Sequence, residues 1–217
     1  MIHKTFPMGV KELPVKFRPV IDYATNSLMK SGIRNFTVER MCADLRISKK
    51  TVYKHFQTKE ELVEAILYDS FQKLFSAVKS TPKNEQNPLE YVFLTIKTIF
   101  DHVGANGPEF IYDIKFLYPR IWDEIDIFQT SIIQNMRDSF VDAQKTGMIR
   151  SDINIDFTLH MMLKVAQSIF QPEFLIHSPF SVRTIMIAFV DIFMNGVIEE
   201  GRKFDLSFLR TVDSRGV

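Results

Sequence analysis

Apolar positions recur at three- and four-residue spacing along nearly the whole chain, and strand-like alternation is scarce. Glycines and prolines fall between these periodic segments, so the pattern predicts an all-α protein. Residues 1–17, with Pro7, Gly9 and Pro14, read as an extended N-terminal arm. Pro19 suits a first helical turn, where a missing N–H costs nothing. Val20, Ile21, Ala24, Leu28 and Met29 follow on one face, and Gly32 is a natural stop. A second, short helix runs to Leu45 behind Thr37 as its N-cap, with Arg40 where a capping box would place Glu. Ser48 caps a third helix reaching to His55, and Lys59, Glu60 and Glu61 open a fourth. The segment 80–88 is polar and closed by prolines. Beyond it the periodicity predicts helices near 88–103, 108–118, 121–146, 155–173 and 179–200.

Two short helices separated by only Arg46, Ile47 and Ser48 have the dimensions of a helix-turn-helix. Met41, Cys42 and Leu45 pack the first, Ile47 fills the angle, and Val52, Tyr53 and Phe56 are expected to bury the back of the second. That leaves Lys49, Lys50, Thr51 and Lys54 on its outer face, where a cationic helix N-terminus can enter a major groove. A turn this tight calls for one residue with positive φ, and Arg46 occupies that place.

Charge sharpens the picture. The formal net charge is only +1, yet residues 1–60 hold twelve Lys/Arg against five acids and the remainder fifteen against twenty-one. A basic first quarter on a mildly acidic body points to one polyanion-binding end, double-stranded DNA being the fitting partner.

These residues resemble the tetracycline-repressor (TetR) family of bacterial regulators. The matching stretch runs from Ile21 to Leu62, and includes Gly32, Phe36, Thr37, Val38 and the run from Met41 to Ser48. It ends on a Tyr-x-His-Phe-x-x-Lys-Glu-Glu-Leu segment from Tyr53 to Leu62. The resemblance implies that Thr37, Tyr53, His55 and Lys59 contact phosphates. It places Lys49, Lys50 and Thr51 nearest the bases, with Ser48 and Lys54 beside them. The family often has Gly at the positions of Lys50 and Arg46. It also implies a division into an arm (1–17), a three-helix helix-turn-helix domain (18–60) and a larger helical ligand-binding and dimerisation domain (61–217).

The C-terminal body is rich in aromatic residues. Phe93, Phe100, Phe110, Tyr112, Phe116, Tyr118, Trp122 and Phe128 fall on three consecutive helices. Aromatic residues at helical spacing can simply be core, but the resemblance implies a pocket for an apolar or amphipathic effector there. The last two long helices are apolar on two faces, and Met162, Ile169, Ile185, Phe189 and Phe193 are the candidate dimer interface. By the resemblance they form half of an intermolecular four-helix bundle, the alternative being a monomeric core.

Other function classes find little support. The chain lacks nucleophile-elbow, phosphate-loop, dinucleotide and His-Glu-x-x-His motifs, so neither enzyme nor cofactor is expected. His102, His160 and His177 are isolated, and Cys42 is the sole cysteine. No apolar run approaches the roughly 20 residues that span a bilayer. The expectation is a cytoplasmic, homodimeric repressor released from a palindromic operator by a small effector. The alternative is a constitutive DNA binder or activator without one.

Overall fold

Every helix among the described residues starts in one of two ways, and both are written in the sequence. The computed structural model describes residues 17–84, 86–104, 106–201 and 203. Five helices begin with proline in the first turn: α1 (Arg18–Ser31), α5 (Pro88–Val103), α6 (Pro108–Leu117), α7 (Pro119–Lys145) and α9 (Pro172–His177). The other five follow a side chain that accepts a backbone N–H from three residues on. These are α2 (Val38–Asp44) after Thr37, α3 (Lys49–Tyr53) after Ser48, α4 (Lys59–Lys79) after Thr58, α8 (Ile155–Ile169) after Asn154, and α10 (Val182–Val197) after Ser181. The fold is all-α, as the periodicity predicts. The only β-type pairing among the described residues is an antiparallel bridge between Ile149 and Ile198.

Several boundaries differ from the sequence reading, with α3, α8 and α10 shorter than expected. The segment 171–179, read as a break, contains α9, because Pro172 restarts a helix that Phe170 ends. Helix α7 begins two residues early, at Pro119. Most of the arm expected over 1–17 lies outside the described residues, but Phe17 is buried against the rings of His55 and Phe56.

Apolar side chains gather into two cores. The first joins α1, α2, α3 and the first half of α4 to Phe110 and Ile114 of α6 and Ile121 and Trp122 of α7. The second joins the rest of α4 to α5, α7, α8, α9 and α10. Helix α4 therefore runs through both, with Leu62–Tyr68 in one and Phe71, Leu74 and Val78 in the other. Packing does not break at residue 60, where the two domains were expected to divide.

The two parts are clamped at the end of α1. Gly32 turns the chain with φ +79°, and a Cβ there would sit 3.1 Å from Asp113 Oδ2 and 3.3 Å from Glu109 Cβ on α6. The Asp113 carboxylate, only 5% exposed, accepts the backbone N–H groups of Ile33 (2.7 Å) and Arg34 (3.0 Å) and pairs with Arg34 Nε at 3.1 Å. Gly107 N–H donates to the Met29 carbonyl at 2.9 Å from the other side of the junction.

The turn between α2 and α3 is a Schellman motif. The Ile47 N–H donates to Cys42 O (3.0 Å) and the Arg46 N–H to Ala43 O (3.2 Å), with Arg46 left-handed at φ +52°. It is the only non-glycine residue with positive φ among those described. The same hydrogen-bond pair ends α7, where Gly147 takes the left-handed place. An L-residue there costs roughly 1–2 kcal/mol, whereas glycine adds only about 0.5–1 kcal/mol of unfolded-state entropy. Arg46→Gly is therefore expected to raise the melting temperature by about 1–4 °C in a thermal unfolding curve followed by circular dichroism. A lower melting temperature would show that the arginine side chain contributes more than its backbone strain costs.

Candidate functional site

The recognition surface is assembled from caps. Thr37 Oγ1 accepts Arg40 N–H at 3.3 Å, fixing the start of α2. Ser48 Oγ accepts Thr51 N–H at 3.1 Å and shares a 2.8 Å hydrogen bond with the Thr51 hydroxyl, fixing the start of α3. The Tyr23 hydroxyl donates to the Asp44 carboxylate, which ties α1 to the end of α2 and raises the Tyr23 pKa.

Around these caps the expected DNA-contacting residues differ in exposure. Lys50, Thr51 and Lys54 are exposed. Lys49 is exposed too, but its Nζ lies 2.5 Å from Glu39 Oε1 of α2. That bond lowers the Glu39 pKa and raises that of Lys49, so both are charged at neutral pH. His55 is half-buried, its ring 4.2 Å from that of Phe17, and Lys59 Nζ sits 5.9 Å over the ring of Phe36. One expectation is corrected: Tyr53 does not bury the back of α3 but is 40% exposed. A residue next to Val52 is rotated about 100° from it on a helix. Val52 and Phe56 alone close that side.

A second feature lies between the two cores. A cavity of about 470 Å³ is walled by α1 (Thr25, Met29), α4, α5, α6, α7, α8 and α10. Of the eight aromatic residues predicted to line a pocket, Phe110, Trp122 and Phe128 do so. The other five are not part of this lining, and of them Tyr118 borders a separate cleft of about 510 Å³ beside Arg34, Lys59 and Glu64. Phe100 is in the second core beneath the guanidinium of Arg183, and Phe93 packs against that core. Tyr112 and Phe116 stack on each other at 4.4 Å, with Arg34 over Tyr112 and Phe116 half-exposed. They follow Phe110 and Ile114 by two positions, which places them about 200° round α6 and off its inner face. Tyr118 packs against the first core, where burial pushes its pKa up to about 12. Most of the wall is aliphatic and was missed, as were Thr25, His102, Asn106 and Gln129. Periodicity within one helix carries no signal for them, because the cavity exists only where seven helices meet.

The residues proposed for a dimer interface also sit differently. Met162 and Phe189 line the cavity, Ile185 is buried, and Ile169 and Phe193 pack partly against the second core. The apolar side chains left exposed on these helices are Phe157 and Met161 of α8 and Ile192 of α10, the last 71% exposed. Both faces of these helices are apolar in sequence, and it is packing within the chain that separates the inward residues from the exposed ones.

The structure is a basic helix-turn-helix fastened to a helical body that holds a cavity at the junction of the two cores. Residues 20–66 match the family model described as bacterial regulatory proteins, tetR family. The uncharacterised HTH-type transcriptional regulator YvaF of Bacillus subtilis is 23% identical over 174 residues, covering 80% of this chain and 91% of its own. The HTH-type transcriptional repressor DhaR of a Mycobacterium species is 21% identical over 148 residues, covering 66% and 75% respectively. The solved structure of the ketosteroid transcriptional regulator KstR2 of Mycobacterium tuberculosis superimposes with a TM-score of 0.55 at 17% identity, covering 87% of this chain and 98% of that one. Residues 20–66 thus match a tetR-type DNA-binding helix-turn-helix, and the whole chain is similar in fold to a solved transcriptional regulator. Among the described residues no helix is long and apolar enough to cross a membrane.

The Lys49–Glu39 pair sets up a test of the recognition surface. An acid at this position repels phosphates and competes for a cation of the recognition helix. Glu39→Gln is expected to tighten binding to duplex DNA by roughly two- to fivefold near 0.1 M salt, a modest effect because water and salt screen an exposed pair. Fluorescence anisotropy on a labelled duplex reads the change. Weaker binding would mean that Glu39 positions Lys49 rather than restrains it.

Proposed function

We propose that the protein is a cytoplasmic homodimeric repressor that binds a two-fold symmetric operator and leaves it when a small apolar or amphipathic molecule fills the cavity. The observation that carries this reading is that α1 of the DNA-binding end and α6 of the body share the cavity wall. Helix α6 turns Phe110 and Ile114 toward the cavity and the Asp113 carboxylate toward the backbone after α1. A ligand that displaces α6 either carries Ile33 and Arg34 with it or leaves buried amides unpaired, at roughly 1–3 kcal/mol each. Either outcome gives the two states of the protein different affinities for DNA, which is all that allosteric release requires. The cavity favours this reading over a constitutive binder, and the repressor named among the relatives supports its sign.

In the proposed complex α3 enters the major groove with Lys49, Lys50 and Thr51 toward base edges and Lys54 beside them. Thr37, Ser48, Tyr53, His55 and Lys59 face the flanking phosphates. The exposed Tyr53 suits a phosphate contact through its hydroxyl. Lys50→Ala is then expected to change which duplexes are selected from a random pool, whereas Lys59→Ala weakens all of them alike. A lost base contact costs roughly 1–3 kcal/mol at one position, and a phosphate contact carries no sequence information. Identical selection profiles for the two variants would remove Lys50 from the base-reading set.

The two-fold partner is proposed to seat on the exposed stripe of Phe157, Met161, Ala188 and Ile192. Ile192→Glu is expected to give a folded monomer by light scattering, with unchanged far-ultraviolet circular dichroism. Phe189→Glu instead places a charge beside Phe170 in the interior and is expected to destabilise the protomer itself. An Ile192→Glu protein that stays dimeric at low micromolar concentration would move the interface elsewhere.

A further inference from the structure

The wall of the cavity carries two polar atoms that the fold does not satisfy. Asn106 Oδ1, just past the end of α5, and Gln129 Oε1, on α7, are buried without a hydrogen-bond partner, and both residues line the cavity. A buried acceptor left unpaired is uncommon in native proteins and calls for an occupant or a function. The nearby polar group His102 adds to the same chemistry. Its Nδ1–H donates to the Thr98 carbonyl at 2.7 Å, so in the neutral ring the other nitrogen is an acceptor.

Charge is handled differently. Lys73 and Asp101 lie at the edge of this lining, and each is bonded to a carboxylate or ammonium one turn away on its own helix. Both charged side chains are about half-exposed, so their heads stand in solvent rather than in the cavity. The rest of the wall is largely aliphatic and aromatic. A volume of about 470 Å³ is within the usual range for a site that encloses one small molecule.

Resting on the reading of this cavity as the effector site, we propose the chemical class of its ligand. It is an uncharged, mostly apolar molecule with a hydroxyl or N–H group that donates to Gln129 Oε1 or Asn106 Oδ1. The apolar body replaces water along the aliphatic wall, and the donor supplies the bond that the fold withholds. A carboxylate would bring further acceptors to these two oxygens and lose its hydration against a largely apolar wall, and a pure hydrocarbon would leave the oxygens as they are.

The full-length protein carries its own reporter, because Trp122 is the only tryptophan and lines the cavity. Three probes of matched length are 1-decanol, methyl decyl ether and sodium decanoate, titrated against Trp122 fluorescence. The alcohol is expected to bind about three- to tenfold tighter than the more hydrophobic ether, the ratio one net hydrogen bond supports, with decanoate weakest. Gln129→Met or Asn106→Ala is expected to bring the alcohol-to-ether ratio close to one. Gln129→Met does so without lowering the melting temperature, since it removes an unsatisfied oxygen and keeps the side-chain volume. An ether that binds as well as the alcohol, a decanoate that binds best, or a ratio unchanged in both variants overturns the proposed ligand class while leaving the cavity as a binding site. If none of the three probes perturbs Trp122, the effector-site reading itself falls, and this proposal with it.

Discussion

The Asp113 carboxylate is what the arrangement of this protein depends on. It is nearly inaccessible to water and accepts two backbone N–H groups of the turn that follows α1. The cost of burying a carboxylate is offset by these donors and by the Arg34 guanidinium. The position leaves little freedom to its neighbours. Gly32 must lack a Cβ because Asp113 and Glu109 occupy that space, and α6 must keep its register for the oxygens to meet both amides. A carboxylate whose partners lie in a different part of the chain joins the two parts through geometry as well as through energy. The apolar contacts around it tolerate sliding far better than three hydrogen bonds do.

The remaining architecture grows outward from that junction. Helix α4 serves both cores, so the helix-turn-helix end and the body share a helix instead of a linker. Helices α5, α6 and α7 then pack over α4 and α1, and the space they fail to fill becomes the cavity. Its position between the cores means that a change in its contents is felt on both sides of α4 and on both faces of α6.

How much of this the sequence carries depends on the range of the interaction. The helix-turn-helix is legible because its determinants are local: caps at Thr37 and Ser48, a left-handed Arg46, and Val52 and Phe56 facing inward. The caps and the turn act within five residues of their partners, and the inward residues follow from short-range spacing. Even there the single-residue detail of Tyr53 was misread, because a five-residue helix offers too few positions to define a face. The helical body is legible as helices, with α9 lost because six residues give no periodicity. The cavity wall is not legible: Phe110 and Phe116 look equivalent in sequence, yet one lines the cavity and the other faces solvent. The two-faced apolarity of α10 poses the same problem, since Phe189 and Ile192 are separated by packing alone.

The first core, finally, is not complete within the first 80 residues. Its apolar surface is closed by Phe110, Ile114, Ile121 and Trp122, which leave the ribosome some forty to sixty residues after the helix-turn-helix does. A nascent or proteolysed chain that ends in the loop after α4 has the DNA-reading residues but lacks one wall of the core that holds them. It also lacks the acceptor for the Ile33 and Arg34 amides. Fragments that have lost the helical body lose with it the support for the helices that carry the DNA-binding motif, so an interrupted synthesis leaves that motif on an unfinished core.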